Sequence, residues 1–168
     1  ADRIRLHESP TPLFHSFGYL ALWVAVQRGL GIVFHPNPLD AAAVGELVAR
    51  HRVTLLLATP TFLQLYLRRC APGDLGSLRV VLAGAEKLSP RLADAFADAF
   101  GIRPLEGYGA TECAPVIAVS TLDYRAPGFF QAGSRRGFVG QALPGVVLRD
   151  VDPDTFAELP AGEPGLLL

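Results

Sequence analysis

Leu105-Glu106-Gly107-Tyr108-Gly109-Ala110-Thr111-Glu112-Cys113-Ala114-Pro115 is the stretch around which this chain reads. Gly107 and Gly109 carry no Cβ, so the backbone there can come close to a partner. Tyr108 between them offers a flat face. Thr111 offers a hydroxyl and Glu112 a carboxylate, both just past the turn. A planar ring, a phosphate oxygen and a divalent cation would suit those three groups. The spacing alone leaves a second reading open: a tight loop after a strand, with Glu112 solvated.

Upstream of that stretch, short apolar runs alternate with amphipathic ones. The runs 31–34 and 53–58 read as continuous apolar strands, which suits a parallel sheet covered on both faces, and 78–83 and 103–107 read as a third and a fourth strand. Residues 17–27 are apolar on most sides and predict a buried helix, stopped by Gly29 and Gly31. Asp40 can cap the next helix, whose stripe is Val44, Leu47, Val48 and His51. Thr59-Pro60 and Ser89-Pro90 open two more, and Gly101 closes the second. Residues 1–10 are polar and predicted loose, and 13–15 read as a strand end.

Past Pro115 the texture changes. A strand over 116–119 precedes a predicted long surface loop over 120–136. Strands over 146–151 and 165–168 follow, joined by turns without helices. The expected fold class is α/β: a mostly parallel β-sheet flanked by helices in βαβ units, then a small, partly antiparallel β element. The expected division is 1–119, an α/β subdomain, and 120–168, a loop-and-strand segment.

The 168 residues suffice for one domain with a real core. Half are apolar and 18% are charged, which excludes a disordered chain. A net charge of −1 carries no overall signal for nucleic acid or an anionic membrane. Cys70 and Cys113 form no disulfide framework and lack metal-ligand spacing, so a reducing cytoplasm is the expected compartment. No signal peptide opens the chain. The longest apolar run, 19–26, falls far below the roughly 20 residues of a membrane span. The first residues lack a start methionine and the last three leucines end mid-strand, so a fragment of a larger enzyme is expected.

Gly107-Tyr108-Gly109-Ala110-Thr111-Glu112 resembles the tyrosine-glycine-x-threonine-glutamate motif of the adenylate-forming enzymes, the superfamily of acyl-CoA synthetases, luciferases and peptide-synthetase adenylation domains. Pro12-Leu13-Phe14-His15-Ser16-Phe17-Gly18 resembles that family's proline-x-x-histidine-x-x-glycine motif. Ala83-Gly84-Ala85-Glu86-Lys87-Leu88 is similar to its glycine-alanine segment. The run from Gly137 through Val139, Gly140 and Pro144 to Gly145 is similar to its segment before the last strands of the large domain. The four matches come in the family's order and span nearly the whole chain. Their fuller strings look closest to the acyl-acyl-carrier-protein synthetase branch, often fused to lysophospholipid acyltransferase or transporter segments.

The resemblance implies a set of roles. Gly84, Ala85, Glu86, Gly107, Tyr108 and Gly109 would contact an adenylate. Thr111 would donate to a phosphate oxygen, and Glu112 would hold Mg²⁺. His15 would sit beside the substrate carboxylate and the route of the thiol. The cofactors would be ATP and Mg²⁺. The partners would be a fatty acid and either acyl-carrier protein or coenzyme A, with no nucleic acid. The chain itself would hold no membrane span, and the parent would lie in the cytoplasm or at the inner face of the membrane. Phe17, Trp23, Phe62 and Val116 are candidates to line an acyl tunnel.

Plainer readings stand beside these. Glu86 could be a helix-capping carboxylate, His15 a core residue between Phe14 and Phe17, Glu112 half of an ion pair, and the apolar candidates plain core. Cys113 reads as packing. The family's phosphate loop would belong upstream of Ala1, and its ribose-binding aspartate and catalytic lysine downstream of Leu168. Lys87, the only lysine, does not fit the catalytic role. The chain alone is therefore expected to show little turnover. A non-catalytic nucleotide- or acyl-binding module is the alternative. A nicotinamide-cofactor fold fails, because its glycine fingerprint should follow the first strand and open a helix.

Overall fold

Capping chemistry sets where the helices begin. Asp40 accepts from the Ala43 N–H at 3.1 Å, Thr59 from Phe62 at 3.4 Å and Ser89 from Leu92 at 3.2 Å. These contacts satisfy amide groups that the first helical turn leaves unpaired. Pro60 and Pro90 stand at the helix starts, where a missing N–H costs nothing. Gly29 and Gly101 end two helices with φ of 63° and 71°, a region that favours glycine.

The computed structural model describes residues 13–168 and the backbone of residues 5–8. In chain order the α/β part runs β1 (Arg5–Glu8), α1 (Ser16–Arg28), β2 (Gly31–Phe34), α2 (Ala41–His51), β3 (Leu55–Ala58), α3 (Pro60–Arg69), β4 (Val80–Ala83), α4 (Pro90–Phe100) and β5 (Leu105–Gly109). These five strands pair in parallel in the order β2-β1-β3-β4-β5. Two further strands extend the sheet antiparallel: β6 (Val116–Val119) on β5, and β9 (Gln141–Ala142) on β6. Two small hairpins complete the described residues, β7 (Tyr124–Ala126) with β8 (Phe129–Gln131), and β10 (Asp150–Val151) with β11 (Leu166–Leu167).

Successive residues of β3 point to opposite faces of the sheet. Leu56 joins Val44, Val48, Leu63, Tyr66, Val81 and Phe96 in the larger core, under α2, α3 and α4. Leu57 joins Phe17, Ala21 and Ala25 under α1. Burial on both faces explains why β3 reads as an unbroken apolar run, whereas the edge strand β2 leaves Gly31 and Phe34 exposed. Among the described residues, no helix is long and apolar enough to cross a membrane.

Several local expectations are corrected. Residues 5–8 form a strand rather than a loose segment. Residues 13–15 are a turn rather than a strand end. On α1, Phe17, Gly18, Ala21 and Ala25 are buried, whereas Tyr19, Trp23, Val24 and Val26 are exposed. The stretch 120–136 contains the β7–β8 hairpin, and in 146–151 only Asp150–Val151 is strand. Pro12, the first residue of the second motif, lies outside the described residues.

Candidate active site

β4 and β5 are neighbours in register, with Leu82 beside Leu105 and Ala83 beside Glu106. Their carboxyl ends deliver Gly84-Ala85-Glu86 and Gly107-Tyr108-Gly109 to the same edge, where open parallel sheets hold ligands. The first turn of α1 reaches the same place. A cleft of about 150 Å³ opens there between His15, Ser16 and Phe17 on one side and Leu82, Gly84, Ala85, Gly107 to Thr111 and Val116 on the other. The unpaired amide groups at the start of α1 make this end favourable for an anion. A larger cleft, about 540 Å³, lies across the tip of β5. Ala85, Glu86, Gly107, Tyr108 and Gly109 line it, with Gly137 and Val139 on its far wall. Ala85 and residues 107–109 thus border both clefts.

The two glycines of the central stretch differ. A Cβ on Gly109 would lie 1.8 Å from the Pro115 carbonyl oxygen, so its close approach is to the chain's own β6 backbone. A Cβ on Gly107 would meet only ordinary contacts, the nearest being Leu82 Cδ1 at 3.7 Å. Gly84 faces the Phe17 ring, which a Cβ would approach to 3.1 Å. The stretch 107–109 is not a free loop. It pairs antiparallel with β6, with a register shift between Tyr108 and Gly109.

Two carboxylates hold the turn after β4. Glu86 Oε2 accepts from the Thr61 N–H at 3.2 Å and the Thr61 hydroxyl at 2.7 Å. Glu106 Oε1 accepts from the Leu88 N–H at 3.1 Å. Just before the first anchor, Ala85 has φ +66°, a strained conformation for a residue with a Cβ. Glu106 was not singled out from the sequence, although it stands second in the central stretch.

Thr111, Glu112 and Cys113 form one turn of 3-10 helix after β5. The Thr111 and Ser16 hydroxyls lie 3.0 Å apart, tying this turn to the start of α1. Glu112 is exposed, has no side-chain partner among the described residues, and lines neither cleft. Among the described residues no three His, Cys, Asp or Glu side chains gather as a metal cage. His15 is exposed, and its Nδ1 accepts from the Phe17 N–H at 3.2 Å as the cap of α1. Of the four tunnel candidates, Phe17 and Val116 line the first cleft. Trp23 is exposed on α1 and Phe62 packs against the larger core.

Residues 6–168 match the model of the AMP-binding enzyme family. The chain belongs to that family. Its sequence is 29% identical over 157 residues to 4-coumarate–CoA ligase 1 of Solanum tuberosum, covering 92% of this chain and 28% of that protein. It is 31% identical over 160 residues to feruloyl-CoA synthase of an Amycolatopsis species, covering 93% and 32%. Among solved structures, ATP-bound MatB from Rhodopseudomonas palustris superposes with a TM-score of 0.83 at 28% identity, covering 98% of this chain and 31% of that one. The anthranilate CoA ligase AuaEII in complex with anthranoyl-AMP gives 0.84 at 25% identity, covering 98% and 30%. This AMP-binding family chain therefore spans less than a third of the length of these proteins. The two sequence relatives are named a CoA ligase and a CoA synthase, and neither name singles out the acyl-carrier-protein branch.

Proposed function

We propose that the chain supplies one side of the active site of an ATP-dependent ligase that forms an acyl-adenylate and then an acyl thioester. The observation that carries this reading is the pair of clefts parted by Ala85 and residues 107–109, with Thr111 beside the first. The adenine enters the larger cleft against the Tyr108 ring. The acyl group enters the smaller one, between Phe17 and Val116. A carboxylate oxygen attacks the α-phosphorus, the α–β P–O bond breaks, and pyrophosphate leaves. A thiolate then attacks the acyl carbonyl and AMP departs.

Thr111, steadied by Ser16, donates its hydroxyl to a phosphate oxygen. His15 has Nδ1 engaged as a cap, which leaves Nε2 for the substrate carboxylate. The start of α1 adds a favourable field for that anion. Gly84, Gly107 and Gly109 keep this edge low, and the anchored Glu86 shapes the adenine side. Glu112 fits Mg²⁺, which takes one or two carboxylates and completes its shell with phosphate oxygens and water. When bound, the ion neutralises charge on the phosphates. The two free thiols suit a reducing compartment.

The substrate we favour is a fatty acid, passed to acyl-carrier protein or coenzyme A, because the motif strings resemble that branch. An aromatic acid is the second reading. The relatives named above support it, and a cleft of about 150 Å³ matches a cavity that holds one benzene ring. Calorimetric titration with unreactive acyl-adenylate mimics, one alkyl and one aryl, tests both. Binding that weakens in Tyr108→Ala supports the site, and the tighter mimic names the acid class. A folded sample that binds neither mimic sinks the reading. Binding by the chain, with no ligase turnover by the full-length protein, points to the non-catalytic module instead.

A further inference from the structure

Gly137 and Val139 form the far wall of the larger cleft, yet they belong to no strand or helix. No backbone ladder fixes this wall, so its position depends on its ends. At the carboxyl end Gly140 has φ +98°, and a Cβ there would lie 2.1 Å from the Val119 carbonyl carbon. The Gly140 backbone therefore lies close against the end of β6, with no room for a side chain between them. At the amino end stands Arg136, whose guanidinium pairs with Oδ2 of Asp94 on α4. Arg103 takes the other oxygen, Oδ1. Between the ends there is a turn bond of 3.0 Å from the Phe138 N–H to the Arg135 carbonyl. A long contact of 3.5 Å runs from the Ser120 hydroxyl to the Phe138 carbonyl.

An isolated surface ion pair is worth little, because two long side chains must be ordered to make it. Asp94 differs in having both oxygens engaged, by guanidinium groups from two separate segments. Arg103 orients the carboxylate from its own corner of the fold, and Arg136 alone connects it to the cleft wall. The 137–139 segment is thus clamped at one end by backbone contact and at the other by charge.

We propose that Asp94 and Arg136 are positioning residues that set the width of the larger cleft, and through it the affinity for nucleotide. This rests on the nucleotide reading given above. Arg103 serves the clamp only by orienting Asp94.

Hydrogen exchange at the amides of residues 137–140, measured without ligand, tests the clamp itself. Titration with ATP and Mg²⁺ tests its consequence. Arg136→Gln should speed exchange at those amides and raise the Kd for ATP about five-fold, the scale of one networked ion pair. Arg136→Lys should restore most of both, and Arg103→Gln should change the Kd by less than about two-fold. Unchanged exchange in Arg136→Gln overturns the clamp whatever the nucleotide does. Faster exchange with an unchanged Kd overturns its link to affinity. A wild-type chain that binds no ATP overturns the nucleotide reading, and the ligand-free exchange data keep that failure distinct.

Discussion

Thr61 gives both its backbone N–H and its hydroxyl to the same oxygen of Glu86, at 3.2 and 2.7 Å. The glutamate that the glycine-alanine motif brings to the site is already spent on the first turn of α3. It acts as a strut for a turn whose neighbour, Ala85, sits at positive φ.

Removing the strut should loosen that turn. Glu86→Ala is expected to cost about 1.5 kcal/mol of stability, at the lower end for hydrogen bonds to a charged group because the site is exposed. Urea unfolding of the variant against Thr61→Val checks the coupling. If the hydroxyl acts only through Glu86, the double variant loses little more than Glu86→Ala alone.

Gly109 and Gly107 should respond in opposite ways to one methyl group. Gly109→Ala drives a Cβ into the Pro115 carbonyl at 1.8 Å and should cost about 3 kcal/mol, since backbone cannot yield as a side chain can. Gly107→Ala meets nothing closer than 3.7 Å and should stay within about 0.5 kcal/mol of wild type. Chemical denaturation of the two variants side by side measures the contrast. Equal losses would mean the β5–β6 contact is not what requires glycine.

The two thiols should separate cleanly. Burial, then the nearby Asp74 carboxylate, push the Cys70 thiol from 9.0 up to about 11, against a smaller opposing effect from a backbone hydrogen bond at Gly45. Cys113 is exposed. A thiol reagent at pH 8 should modify Cys113 fast and Cys70 slowly. The folded-state value of Cys70 lies above its unfolded value. Its contribution to stability is therefore fully present below pH 9.0 and fades as pH rises through about 11. Unfolding at graded alkaline pH, wild type against Cys70→Ala, should show a steeper decline in the wild type.

Glu112 has no partner to lose among the described residues, so its replacement should leave folding untouched and act only on metal-assisted binding. Chelation of Mg²⁺ is expected to weaken ATP binding by the wild type about ten-fold, an effect of one carboxylate–metal–phosphate link. Glu112→Gln should bind with the weakened affinity whether or not Mg²⁺ is present. Calorimetry with and without chelator reads both, and a variant that still responds to Mg²⁺ would move the ion elsewhere.

Capping residues and unbroken apolar runs made the parallel part of the fold legible. Asp40, Thr59 and Ser89 each accept the predicted bond, because a short polar side chain before an apolar stripe has few other uses. The glycines were harder. That Gly109 is required by its own chain's Pro115 depends on a strand pairing several residues away, which spacing does not encode. The β7–β8 hairpin hid because Tyr124, Arg125, Phe129 and Phe130 are all exposed, so no inside-outside alternation marks the strands. In α1 the apolar residues outnumber the buried positions. A composition that looked buried all round therefore covers only one face. The clamp at Asp94 joins residues 42 positions apart and leaves no local trace.

Ala85 and residues 107–109 border both clefts, and that shared boundary carries a thermodynamic consequence. Whatever occupant of the larger cleft shifts these four residues changes the affinity of the smaller one by some factor. Occupancy of the smaller cleft must then change the affinity of the larger by the same factor. At equilibrium, the order in which the two substrates are added to this chain cannot matter, and a single heat-of-binding cycle run in both directions must close.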